Sequence, residues 1–148
     1  DLWITDLQES FGGGRTTDGR WSVDDFVDLW VRSILRQERL LRLLPLLSLS
    51  LERNVSEEVL YTFKQRLRAQ VERIGGVVTT ALPSLPTSSI LDFLHTNLAL
   101  ISGLVPMCRR TDVHERVLSH PELSPFRVGF QELYKRSLSA LVRGMVIE

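Results

Sequence analysis

Apolar side chains return every three or four residues along nearly the whole sequence, and strand-like alternation is almost absent. That rhythm lines one face of an α-helix. Leu2, Trp3, Leu7 and Phe11 read as the tail of a helix ended by Gly12, Gly13 and Gly14, with a Gly-rich polar loop over 12–20. Ser22 is placed to cap a second helix with Asp25 as its acidic third residue, and Val23, Phe26, Val27, Trp30, Val31 and Ile34 form its stripe. A third helix over about 38–51 is apolar nearly all round, and Pro45 should kink it. The longest helix starts near Ser56, and its stripe of Leu60, Phe63, Leu67, Val71, Ile74, Val78 and Ala81 predicts packing along its whole length. Gly75-Gly76 lies within that helix and points to a close helix approach or a bend.

The next helix, 88–107, has two apolar faces. One carries Ile90, Leu94, Leu98, Ile101 and Val105; the other carries Phe93, Asn97, Leu100, Leu104 and Met107. A helix apolar on two sides must bury both, one in its own core and the other against a ligand cavity or a second chain. A polar connection over 109–120, with room for one short helical turn, leads to Ser124-Pro125, which reads as the start of a last helix carrying Phe126, Phe130, Leu133, Tyr134, Leu138, Leu141, Val142 and Met145. The expected fold is all-α, a bundle of about six helices.

Composition narrows the function. The chain has 148 residues, 43% of them hydrophobic, which suits one domain with one core. Eighteen basic and eighteen acidic residues cancel, which argues against a free-standing nucleic-acid binder or a polybasic membrane-surface module. The basic residues around Arg36–Arg42 and Lys64–Arg73 alternate with Glu38, Glu58 and Glu72, the pattern of a solvated helix face. The uninterrupted apolar runs are shorter than the ~20 residues that cross a bilayer. No membrane partner is expected. The first residues lack the basic and apolar regions of a signal peptide. The lone Cys108 excludes a disulfide framework.

Candidate chemistry is sparse. His114 and His120 sit in a polar connector without metal-ligand spacing, so no metal and no cofactor are expected. Cys108 beside Arg109 and Arg110 reads as a helix end, and the pairs Asp24/Asp25 and Glu57/Glu58 as dipole partners at helix starts. The glycine run lacks the strand and Gly-Lys-Ser/Thr of a phosphate loop. No constellation marks an enzyme. His95 lies between Leu94 and Thr96 on an apolar helix, and reads either as a satisfied core or edge histidine or as a polar anchor in a ligand pocket.

The run LLRLLPLLSLSLERNVSEEVLYTFKQRL (40–67), LPSLP (82–86), and the closing HPELSPFRVGFQELYKRSLSALVRGM (120–145) resemble the C-terminal regulatory domain of tetracycline-repressor family transcription regulators. The resemblance implies that 1–11 is the tail of a linking helix from an N-terminal helix-turn-helix domain absent from this sequence, and that 12–148 senses a ligand and dimerises. It implies a cytoplasmic bacterial repressor, homodimeric, meeting operator DNA only through that absent domain, with a small apolar or aromatic effector. Trp30, Leu44, Leu47, Phe63, Leu67, Phe93, His95 and Asn97 are the expected pocket lining. Leu94, Leu98, Ile101, Val105, Phe130, Tyr134, Leu138, Leu141 and Met145 are the expected dimer interface. The competing reading is a helical protein–protein interaction domain with no small-molecule ligand.

Overall fold

The computed structural model describes residues 2–13, 21–47 and 54–146. Most of the glycine-rich loop, the end of the kinked helix and the 51–53 exit of the family-like run lie outside the described residues. The described residues form seven α-helices: α1 (Leu2–Gly12), α2 (Val23–Leu35), α3 (Glu38–Leu46), α4 (Glu57–Ala81), α5 (Ile90–Cys108), α6 (Asp112–Leu118) and α7 (Phe130–Met145). Short 3-10 turns at Thr87–Ser89 and Pro121–Phe126 complete an all-α chain, with no strand among the described residues.

Local chemistry explains the helix starts. The Ser22 hydroxyl oxygen accepts from the Asp25 backbone N–H at 3.1 Å, and Ser56 does the same for Val59 at 3.4 Å. Each satisfies one of the four orphan donors at a helix start. Thr111 and His114 form a reciprocal cap that turns part of the expected connector into α6. His114 is thereby a surface capping residue.

Two boundaries differ from expectation. Ser124-Pro125 does not open α7, because Pro121–Phe126 winds as a 3-10 turn and the chain then extends to Gly129. The extension is held from outside: Arg110 Nη2 donates to the Val128 carbonyl at 2.8 Å, and Arg127 Nε donates to the Leu118 carbonyl at 2.6 Å. Phe126, expected on the last helix, is 69% exposed. The stripe of α4 also does not pack along its whole length. Only Ile74, Val78 and Ala81 of that helix are buried, while Leu60, Phe63, Leu67 and Val71 are half-buried. Tyr61 is exposed rather than a core wall.

The core is one cluster centred on α2, α5 and α7, with α1 and the end of α4 closing it. α5 packs against α3, α7 and α4, and α2 against α7 and α1. Gly75 lets α4 come near α5, since a Cβ there would meet Ile90 at 3.4 Å. Thr87–Cys108, at 22 residues and mean hydropathy 1.4, is long and apolar enough to cross a membrane by length and composition. Here the segment packs on three helices and buries a hydrogen-bonded asparagine.

Candidate functional site

α5 turns two different surfaces to its neighbours. Phe93 faces a filled aromatic wall. Its ring meets Trp30 edge-on at 5.1 Å and Phe26 at 6.0 Å. Trp3 meets Trp30 edge-on at 5.5 Å, and Phe11 stacks on Phe26 at 5.3 Å. Such pairs each contribute about 0.5–1.5 kcal/mol beyond their burial.

Round the helix from Phe93, the packing is incomplete. A cavity of about 280 Å³ lies between Trp3 and Ile4 of α1, Leu40, Leu44 and Leu47 at α3, Leu67, Gln70, Val71 and Ile74 of α4, and Leu94, Asn97, Leu98 and Ile101 of α5. The volume is at the small end of ligand sites, roughly 300–1,000 Å³. Among the described residues no charged side chain lines it.

Asn97 is 4% exposed and joins a hydrogen-bond chain through the core. Trp30 Nε1 donates to the Tyr134 hydroxyl at 3.2 Å, and that hydroxyl donates to Asn97 Oδ1 at 2.5 Å. The direction is forced, because an indole N–H can only donate. Burial pushes the Tyr134 phenol well above its ordinary pKa, and the bonds from Trp30 and to Asn97 offset part of that rise. The chain therefore links α2, α7 and the wall of the cavity. Nothing in the sequence announces a pair separated by 37 positions.

The expected lining residues separate into groups. Leu44, Leu47, Leu67 and Asn97 lie on the cavity wall. Trp30 and Phe93 belong instead to the aromatic core, fully buried, and Phe63 is half-buried away from the cavity. His95 is exposed. It stands two residues from Asn97, about 200° round the helix, so the pocket-anchor reading of His95 is corrected. Trp3, Ile4, Leu40, Gln70, Val71 and Ile74 line the cavity without having been singled out for it. Val71 and Ile74 were legible as α4 stripe positions and Trp3 as an α1 stripe position.

The expected interface residues also move. Ile101 is 1% exposed, Val105 is 7% exposed, and Tyr134 and Leu138 are fully enclosed. They sit in the chain's own core and have no surface to offer a second copy. Leu94 and Leu98 face the cavity. Phe130, Leu141 and Met145 remain half-buried at the edge of the core. The open surfaces are different ones. On α5 they include Ala99, Gly103 and Met107, flanked by half-buried Leu100 and Leu104. On α7 they include Ala140 and Gly144, flanked by half-buried Leu133, Ser137 and Leu141. The charged positions Lys135 and Arg143 of α7 lie on another side and reach Asp28 and Asp24 of α2 at 2.5 and 2.6 Å.

Among the described residues no group of three His, Cys, Asp or Glu could hold a metal. Residues 1–148 match the sequence model of the family described as Tetracyclin repressor-like, C-terminal domain. The chain belongs to this family. No curated protein matches the sequence. Membership makes this a regulatory domain of a non-enzymatic family, whose domains generally dimerise and bind effectors.

Proposed function

We propose that the chain is the effector-sensing and homodimerising part of a cytoplasmic bacterial repressor, in which a small, largely apolar effector lowers operator affinity. The observation that carries this reading is the uncharged cavity against α5, whose wall residue Asn97 is hydrogen-bonded to α7. In this reading α1 continues a linking helix from a helix-turn-helix domain, and operator contact is made there. Residues 12–148 supply most of the sensing domain, and Trp3 and Ile4 of α1 complete the cavity wall.

The second copy would seat on α5 and α7. Support comes from their small exposed residues. A Cβ added at Gly103 or Gly144 meets nothing of the chain within 4 Å, and Ala99 and Ala140 are exposed beside half-buried leucines. Small residues permit close helix approach, and a two-fold interface needs such a self-complementary patch. An effector drawn to the Asn97 NH₂ group can reorient that amide and with it the bond from Tyr134. Tyr134 also holds Trp30, so the position of α7 against α2 is what the effector can bias. Coupling of ~1–3 kcal/mol, about 5–150-fold in affinity, is typical of such linkage.

Sedimentation tests the dimer. The 16.9 kDa chain should run at twice its mass at micromolar concentration. Ala140→Arg adds charge at an exposed position and should give a folded monomer. A monomeric wild type, or an Ala140→Arg dimer, would remove this interface. A stable dimer whose melting no apolar small molecule shifts would favour the interaction-domain reading.

A further inference from the structure

We infer that the cavity is built for an uncharged, mainly apolar molecule carrying a hydrogen-bond acceptor, such as a ketone or ester carbonyl, received by the Trp3 indole N–H and the Asn97 amide N–H. The inference rests on the sensor reading of the cavity and adds the chemistry of its ligand.

Three observations carry it. Trp3 lines the cavity, and its Nε1 is buried without a hydrogen-bond partner. An indole nitrogen can only donate, and a buried donor left unsatisfied costs about 1–3 kcal/mol. Such an orphan in a cavity wall is explained by an acceptor that arrives from outside the chain. The hydrogen-bond chain supplies the second observation. Tyr134 must accept from Trp30, so its proton occupies Asn97 Oδ1. That bond takes one lone pair of Oδ1 and leaves the Asn97 NH₂ group, with two N–H donors, as its larger unused capacity. Two residues of different elements, Trp3 of α1 and Asn97 of α5, thus line one space, and each has a donor to offer. The third observation is the absence of any Lys, Arg, His, Asp or Glu among the described lining residues. A carboxylate or ammonium entering there would lose its hydration without gaining an opposite charge. A ligand offering only donors would find, among the described lining side chains, the Gln70 amide oxygen and the half-used Oδ1 of Asn97.

Butyrophenone, butylbenzene and phenylbutyrate share a similar apolar body and differ in the polar group. Their binding to the full chain can be measured by ligand-observed NMR titration. The ketone should bind roughly 2–10-fold tighter than the hydrocarbon, the net worth of one hydrogen bond. The carboxylate should bind more weakly than the ketone. Trp3→Phe keeps an aromatic ring beside Trp30 and removes only the donor, and should shrink the ketone preference toward one. Equal binding of ketone and hydrocarbon to the wild type would overturn the acceptor inference while leaving the cavity a sensor. So would tighter binding of the carboxylate. A ketone preference undiminished in Trp3→Phe would overturn the role of Trp3. Failure of all three probes to bind would defeat the sensor reading itself. The wild-type ratio needs no variant to fold.

Discussion

The two sides of α5 pack by opposite rules. On one, Phe93 meets Trp30 and Phe26, and rings fill the space between α1, α2 and α5. On the other, Leu94, Leu98 and Ile101 face leucines and valines of α3 and α4 across about 280 Å³ of unfilled space. Rigid rings with large apolar area close a gap that branched aliphatic side chains on three separate helices leave open. The difference places stability on one flank and adaptability on the other. Of the α4 stripe residues on the cavity, Leu67 and Val71 are only half-buried, whereas Val78 and Ala81, away from it, are buried.

Paired truncations are the strongest way to break that contrast. Trp30→Ala empties the aromatic side and deprives the Tyr134 hydroxyl of its donor partner, and should cost about 3–5 kcal/mol. Leu98→Ala enlarges a space that is already open and should cost about 1 kcal/mol, since the loss depends on how many contacts the side chain had. Urea denaturation of both variants measures the difference. Equal costs would mean that the two flanks are equally packed.

The next effect concerns the bond chain that joins the flanks. Tyr134→Phe keeps the ring stacked on Phe130 and removes the hydroxyl between Trp30 and Asn97. A buried donor and a buried acceptor then lose their partner, at about 1–3 kcal/mol. If α7 is biased through this bond, effector binding and dimer affinity should also become uncoupled in this variant. Measured dimer dissociation with and without the ketone probe reads that directly. Coupling unchanged from wild type would mean that the cavity communicates by another route.

Much of the fold was legible in the sequence because periodicity and caps are local. Ser22 and Ser56 mark helix starts through bonds three residues away, and the stripes of α2 and α5 name most of the core. The faces of α5 were not legible for a physical reason. Leu94 and Leu98 on one flank and Leu100 and Leu104 on the other are equally apolar, so the pattern says both must be covered without saying by what. Ile101, expected at the dimer interface, is 1% exposed, so Ile101→Arg would bury a charge and should unfold the chain rather than only separate two copies. His95 looked apolar in its setting because its sequence neighbours are apolar, whereas its spatial surroundings are solvent. Trp3 could be seen as a core position, but not as an unpaired donor, because that depends on what α1 fails to meet.

The smallest effect sharpens the aromatic side through pH. Burial raises the Tyr134 phenol above its ordinary value of 10.0 in the folded chain, while the unfolded chain keeps that ordinary value. Below pH 10 both states hold the proton, and the group contributes its full stability. Above it the unfolded state releases a proton that the folded state retains, so the unfolded state binds fewer protons and stability falls as pH rises. The slope from one such group cannot exceed about 1.4 kcal/mol per pH unit, which puts the loss at pH 11 near 1 kcal/mol. Lysines also titrate in this range, so the informative quantity is the difference between wild type and Tyr134→Phe. Urea midpoints at pH 8 and pH 11 should converge between the two proteins as pH rises, because the variant has no phenol to lose. Parallel curves would show that the Tyr134 hydroxyl reaches water, and that the filled flank is less sealed than its rings suggest.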